Sequence, residues 1–223
     1  MQIVRIWDLP TRLFHWVLAL AVIGLVVTGK VGGNAMAWHF RLGYVVFALL
    51  LFRLVWGLVG GHWSRFVAFV YAPATLIAYL RGEGRPEHAA GHSPTGALSV
   101  FALLAVLGLQ VATGLFSDDE IAAAGPLTTL VTGKTVSLAT GWHKQWGQWL
   151  VIGLVVLHVA AIVYYRFAKR ENLVTAMLTG DKTLEVALTA SRDGVADRLK
   201  ALLVLALAAG VVWWVVSLGG AKP

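Results

Sequence analysis

Five long apolar stretches limit what this chain can become. A helix that crosses a bilayer needs roughly 20 mostly apolar residues. Segments of that kind run from about Leu13 to Gly29, Trp38 to Gly57, Ala97 to Phe116, Trp146 to Tyr165 and Leu199 to Leu218. Each ends in turn-formers or charge, such as Gly32-Gly33-Asn34 after the first and Asp118-Asp119-Glu120 after the third. Of the 223 residues, 58% are hydrophobic and 13% charged, more apolar surface than a water-soluble domain of this length can hide. An all-α integral membrane protein is the expected class. A sixth stretch, Phe66 to Leu80, is short and broken by Pro73. It reads as an interfacial segment with a helix starting near Pro73. Glu171 to Lys182 reads as a surface-lying piece. No internal repeat is evident.

The net charge of +7 would suggest nucleic acid in a soluble protein; here Lys and Arg are topology signals and headgroup contacts. Placing the N-terminus inside puts Arg5, Arg12, Arg53, Arg65, Arg81, Arg85 and the Arg166-to-Lys200 cluster on the inner side. Lys30, Arg41, Lys134, Lys144 and Lys222 then fall outside, as the positive-inside rule prefers. Trp7, Trp16, Trp56 and Trp63 read as an inner aromatic belt, and Trp38, Trp142, Trp146, Trp213 and Trp214 as an outer one. The first apolar run is longer than a signal-peptide core, and Asp8 interrupts its basic flank, so it is expected to remain as a span.

There is no cysteine, which excludes disulfides, iron–sulfur clusters, thiolate metal sites and cysteine-attached haem. Histidine is the remaining soft-nitrogen ligand. His15 lies at the inner end of the first span, and His39 opens the second at the outer face. His143 opens the fourth span, also outside, and His158 follows fifteen residues later, about 22 Å deeper at 1.5 Å per residue. Fifteen residues at about 100° each leave His143 and His158 within about 60° of one another around the helix. Depth therefore pairs His15 with His158 and His39 with His143. Haem iron takes two axial ligands on opposite sides of the porphyrin, and imidazole is a common one. Two such plates, one for each half of the membrane, would sit in a helix-bundle core. Gly24, Gly43, Gly108, Gly114, Gly147 and Gly153 offer close approach to backbone. Arg41 and Lys144 stand beside ligands on the outer side, and Arg12 and Arg53 are placed for haem propionates on the inner one. Helix-end histidines that merely snorkel to water are the competing account. Metal transport is another, set back by the lack of carboxylates within the spans. His62, beside a glycine pair, and His88 and His92, in a Gly/Pro-rich stretch, fall in the inner loop and read as solvated.

These residues sit in a recognisable frame. The opening Val4-Arg5-Ile6-Trp7-Asp8-Leu9-Pro10-Thr11-Arg12-Leu13-Phe14-His15-Trp16 resembles the bacterial cytochrome b561 family and the related b-type cytochrome subunits of nickel–iron hydrogenases. So do His39-Phe40-Arg41-Leu42-Gly43-Tyr44, Arg53-Leu54-Val55-Trp56-Gly57, His92-Ser93-Pro94-Thr95-Gly96-Ala97, Gly114-Leu115-Phe116 and the span from His143 to His158. The likeness covers about residues 3 to 182. It implies an integral membrane four-helix haem-binding bundle with two haems b on His15, His39, His143 and His158. To this the chain adds a fifth, C-terminal transmembrane helix, which the simplest members lack. The expected layout is a dihaem domain over 1–182, a cytoplasmic connector over 183–198 and the added helix over 199–218.

The function so implied is electron transfer between the quinone pool (ubiquinone or menaquinone) and a periplasmic c-type cytochrome or other redox subunit. The implied location is the bacterial inner membrane, with the N-terminus cytoplasmic and the C-terminus periplasmic. The fifth helix would dock such a partner or stabilise a homodimer. A second account is an oxidase that takes electrons from superoxide and reduces quinone, with Arg41, Lys134 and Lys144 steering the anion. A third is a non-redox transporter, which predicts no visible absorption. No nucleophile–base pair or phosphate-cradling loop is present, so any redox chemistry would belong to the haem.

Overall fold

The computed structural model describes residues 1–121 and 123–220; Lys222, counted above among the outer cations, lies outside the described residues. The elements in chain order are β1 (Gln2–Arg5), α1 (Leu9–Val31), α2 (Met36–Val59), α3 (Pro73–Leu80), α4 (Pro94–Leu115) and α5 (Gly133–Gly141). A π-helical turn at Trp142–Gly147 carries α5 into α6 (Gln148–Phe167), followed by α7 (Leu173–Thr179), β2 (Asp181–Leu184) and α8 (Val195–Ser217). Helices begin where a side chain can satisfy the orphan N–H groups of a first turn. The Asp8 carboxylate accepts from Thr11 N at 2.8 Å to open α1. The Ser93 hydroxyl accepts from Gly96 N at 3.2 Å to open α4, and Asn172 accepts from Thr175 N at 3.2 Å to open α7. Pro10 and Pro94 occupy first-turn positions that need no donor, and Gly180, at φ 89°, stops α7.

Five helical stretches are long and apolar enough to cross a membrane: Leu9–Val31, Gly33–Val59, Pro94–Leu115, Gly133–Phe167 and Val195–Ser217. Their outward faces are apolar too, with Leu20 69% and Leu58 71% exposed, as lipid-facing helices require. The expected all-α class with five spans is what the chain adopts. The helices outrun the apolar stretches because their capping residues lie beyond the hydrophobic part.

The chain divides into two compact units. The first comprises residues 1–15, 53–102 and 155–203. Its core gathers Val4, Ile6, Trp7, Trp63, Ala90, Ala176 and Leu184. Here β1 pairs antiparallel with β2, Gln2 opposite Leu184 and Arg5 opposite Asp181. Four-residue strands so far apart in sequence leave too little alternation to be read beforehand. The expected inner tryptophan belt is corrected here. Trp7, Trp56 and Trp63 are buried, and the indole N–H groups of Trp56 and Trp63 donate to Asp8 Oδ1 (3.2 Å) and the Thr189 carbonyl (2.7 Å). Indoles with a partner inside a core have no need of the interface.

Asp8 is fully buried, and each carboxylate oxygen takes two donors. Oδ1 accepts from Thr11 N and Trp56 Nε1; Oδ2 accepts from Gly61 N at 3.1 Å and from the Ser64 hydroxyl at 2.6 Å. The residues before α8 are tied to the same region. The Ser191 hydroxyl donates to the Ile6 carbonyl at 2.6 Å and accepts from Trp63 N. Arg5 bridges Asp181 (2.6 Å) and Asp193 (2.8 Å), and Asp193 also accepts from Arg198 and Leu9 N. Burial alone would raise the Asp193 carboxyl, but the Arg198 guanidinium, the Leu9 N–H and Arg5 hold it below its ordinary value. A carboxyl lowered in the folded state stabilises at pH above its unfolded pKa, about 3.9. That contribution is lost as pH falls through the folded value. Thermal melts in detergent should therefore weaken on acidification below about pH 4. Asp193→Asn should lower stability at pH 7 and make that acid dependence shallower.

The second unit comprises residues 16–52, 103–154 and 204 onward. Val22, Val46, Leu49, Leu50, Leu107 and Val151 fill its interior. Gly24 lets Leu42 approach, since a methyl group there would stand 2.7 Å from a Leu42 carbon. Ala208, Val212 and Val216 form the buried stripe of α8, while Trp213 and Trp214 face outward.

Candidate functional site

Each unit brings two of the singled-out histidines together. In the first unit the rings of His15 (α1) and His158 (α6) have centroids 6.4 Å apart, with planes at 52°. In the second, His39 (α2) and His143 (the π-helical turn) lie 6.1 Å apart, at 86°. Two imidazoles bound to one metal from opposite sides, at about 2.0–2.1 Å per bond, put ring centres about 6.3 Å apart. Both pairs have the spacing that a bis-histidine iron demands.

The second-unit pair faces a cavity of about 310 Å³ lined by His39, His143, Gly43, Tyr44, Gln110 and Lys144, among others, at the lower end of the range for cofactor sites. His39 Nδ1 lies 3.0 Å from the Leu25 carbonyl and His143 Nδ1 lies 2.9 Å from the Gln110 carbonyl. A carbonyl only accepts, so each Nδ1 carries the proton and each Nε2 keeps its lone pair for a metal. Small residues make room for the rings. A methyl group on Gly29 would stand 3.2 Å from His39 Cε1, and one on Gly114 would stand 2.9 Å from His143 Cε1. His143 is held a second time, through its backbone: Gln110 Nε2 donates to its carbonyl at 2.8 Å. That carbonyl lies in the π-helical turn, where the regular hydrogen-bond ladder is broken, and such turns recur at functional sites. Gly147 in the same turn lies against Gln110 and Trp142.

In the first unit a buried cation makes no direct ion pair among the described residues. Arg53 is 3% exposed; its guanidinium lies 4.6 Å over the Phe66 ring, and Nη1 makes no hydrogen bond. A buried guanidinium of this kind calls for a carboxylate, which a haem propionate provides. Arg12 Nη1 donates to the Leu178 carbonyl at 2.5 Å, while its buried Nε has no hydrogen-bond partner. In the second unit Lys144 lines the cavity, whereas Arg41 is exposed, 5.1 Å over the Trp38 ring, and is not among the lining residues. Gly43 also lines the cavity and has open space at its Cα; Gly108 and Gly153 have such space but are not among the lining residues. The residues present fit haem.

The loop histidines are not all solvated, which corrects the reading of that stretch. His88 is 8% exposed, with Nδ1 accepting from Arg85 N at 3.1 Å. The His92 ring packs at a tilt against both Trp7 (4.7 Å, 59°) and Phe69 (4.3 Å, 49°), its Nδ1 buried without a hydrogen bond. Burial, helped by Arg53, His15, His158 and Lys182, pushes the His92 imidazole down to about 3, so it is neutral at physiological pH. Folding of the Gly/Pro-rich segment against β1 and its neighbours, rather than local composition, buries it.

Sequence reasoning passed over Asp8, Gln110 and the two threonines beside the ring-accommodating glycines. One signal was present: Val26-Val27-Thr28-Gly29 and Val111-Ala112-Thr113-Gly114 share the pattern V-x-T-G. It is a short recurrence that the expectation of no internal repeat overlooked.

The model of the prokaryotic cytochrome b561 family matches residues 6–180. A probable Ni/Fe-hydrogenase B-type cytochrome subunit of Cupriavidus necator is 28% identical over 213 residues, covering 81% of this chain and 87% of the relative. One from Azotobacter vinelandii is 29% identical over 211 residues (79% and 87%). The probable Ni/Fe-hydrogenase 1 B-type cytochrome subunit of Escherichia coli K12 is 26% identical over 209 residues (78% and 88%). No solved structure matches. With five membrane-length helices and a family match over most of its length, the chain is a multi-pass bacterial membrane electron-transfer protein of the haem b type, and it belongs to the prokaryotic cytochrome b561 family.

Proposed function

We propose that this protein holds two haems b, one between His15 and His158 and one between His39 and His143, and that it conducts electrons between membrane quinone and a redox partner. The observation that carries the reading is the spacing of the two ring pairs, 6.4 and 6.1 Å. Bound haem supplies one-electron redox chemistry. The chain contributes axial nitrogens, Nδ1-protonated at His39 and His143, and a buried guanidinium at Arg53 to balance a propionate. Arg12 in the first unit and Lys144 in the second are the further propionate partners, while Arg41 is exposed and does not line the cavity. A bare metal ion is less well served. Among the described residues no group of three or more His, Cys, Asp or Glu side chains gathers at one point, and the four donors to Asp8 leave it no lone pair to offer.

The relatives are named as hydrogenase cytochrome subunits, so the partner we favour is a hydrogenase-type redox subunit rather than a free c-type cytochrome. In this reading residues 1–182 are the dihaem domain, 183–198 connect, and the helix over 199–218 is the added span that meets the partner. The test is a reduced-minus-oxidised spectrum with haem quantification on purified protein. Low-spin b-type bands at about two haems per chain are expected for two bis-histidine sites; one haem or none overturns the pairing. Reduction of both haems by a quinol in the same preparation checks the quinone half.

A further inference from the structure

The two second-unit ligands are cradled in similar ways by different helices, and at His39 the Thr28 hydroxyl also lies 3.3 Å from the ring Nδ1 itself. In α1 the Thr28 hydroxyl bonds back to the Gly24 carbonyl at 2.7 Å and touches the Leu25 carbonyl at 3.3 Å. Leu25 is the residue whose carbonyl takes the His39 Nδ1 proton, and Gly29 is where the ring passes. In α4 the Thr113 hydroxyl bonds back to Leu109 at 2.8 Å and touches Gln110 at 3.1 Å. Gln110 is the residue whose carbonyl takes the His143 Nδ1 proton, and Gly114 is where that ring passes. Threonine back-bonding of this kind bends a helix and tips carbonyls away from its axis. A tipped carbonyl can reach a donor on another helix, and the absent Cβ one residue after the threonine lets that donor come close.

We propose that Thr28-Gly29 and Thr113-Gly114 form a matched pair of ligand cradles: the threonines are positioning residues that set the orientation of His39 and His143 and, through the Nδ1–H···O=C bonds, the potential of the haem between them. This rests on the dihaem reading above. A hydrogen bond from the non-ligating nitrogen makes an imidazole a more basic ligand, which favours ferric over ferrous iron. Crossing of the two ring planes at 86° is the second consequence. Crossed imidazoles give a more anisotropic low-spin ferric signal than parallel ones.

The experiment uses the full-length, haem-loaded protein with Thr28→Val, Thr113→Val and the double variant, each beside its Thr→Ser counterpart. Without the hydroxyl the helix straightens, the Nδ1–H···O=C bond lengthens and the ligand becomes less basic. At a fixed ambient potential, the reduced-to-oxidised ratio of the second-unit haem should rise about threefold to tenfold, where tenfold corresponds to about 59 mV for a one-electron couple. Its low-spin electron paramagnetic resonance signal should shift, the first-unit haem should keep its potential and signal, and serine should restore both properties. If the valine variants keep two haems with unchanged potentials and spectra, the cradles are packing features and the proposal falls. If a valine variant loses the second-unit haem, restoration by serine supports the proposal and failure of serine to restore it overturns it. Fewer than two haems in the unsubstituted protein would instead refute the dihaem reading itself.

Discussion

Replacing His143 with alanine should leave a cytochrome with half its haem. His39→Ala should lose the same haem, because in the proposed pairing the two rings, 6.1 Å apart, would hold one iron. His15→Ala and His158→Ala should each remove the other haem, whose ligands are 6.4 Å apart. A low-spin iron that loses one of its two strong imidazole ligands either drops the porphyrin or turns high-spin, so absorbance at the alpha band should fall by about half in every case. The arrangement within each unit makes the pairing directly readable. The double variant His39→Ala/His143→Ala should be no worse than either single, whereas His39→Ala/His158→Ala should be devoid of low-spin haem. Spectra of the four singles and these two doubles suffice. Non-additive loss in any other combination would mean that the partners are wrongly assigned.

Asp8→Ala should be the most damaging change outside the ligands. It leaves Trp56 Nε1, Gly61 N, the Ser64 hydroxyl and Thr11 N without their acceptor inside a sealed core. A hydrogen bond to a charged group contributes about 1.5–3 kcal/mol, and losing an N-cap alone costs about 0.5–2. Because these terms share one group they do not add, and about 3–5 kcal/mol is the expected total. That is a large share of the roughly 5–15 kcal/mol that holds a typical domain. The consequence is functional as well as structural, since His15 lies two turns along the helix that Asp8 caps. Thermal melts should shift strongly, and the haem of His15 and His158 should be the first released while the other band persists. Asp8→Asn keeps one acceptor oxygen and should recover part of the loss. A variant as stable as the unsubstituted protein would show that the four contacts carry no net energy.

Much of this was legible before any fold was known. Apolar length foretold five membrane-length helices, and helix arithmetic foretold which histidine rings would lie side by side. Pro73 marked where α3 begins. Composition misled where burial is decided at long range. His92 sits in a Gly/Pro-rich stretch that looks solvated, yet Trp7 and Phe69, distant in sequence, enclose its ring. Tryptophans that look like a belt turned inward because Asp8 and Thr189 offered their N–H groups acceptors. The strand pair β1–β2 joins the two ends of a stretch of some 180 residues, a separation over which four-residue segments carry no pairing information.

The sequence alone therefore determined the class, the membrane-length segments and the four histidines proposed as ligands, because hydrophobic length and helical period are properties of consecutive residues. Tertiary structure decided which nitrogen of His39 and His143 is left free, which carbonyls receive the other, and that the buried Arg53 keeps an unbonded Nη1. Those outcomes depend on where a neighbouring helix presents one carbonyl or one missing Cβ to within a few tenths of an ångström. Orientation at that scale is set by packing between helices, and no local pattern encodes it until the helices have met.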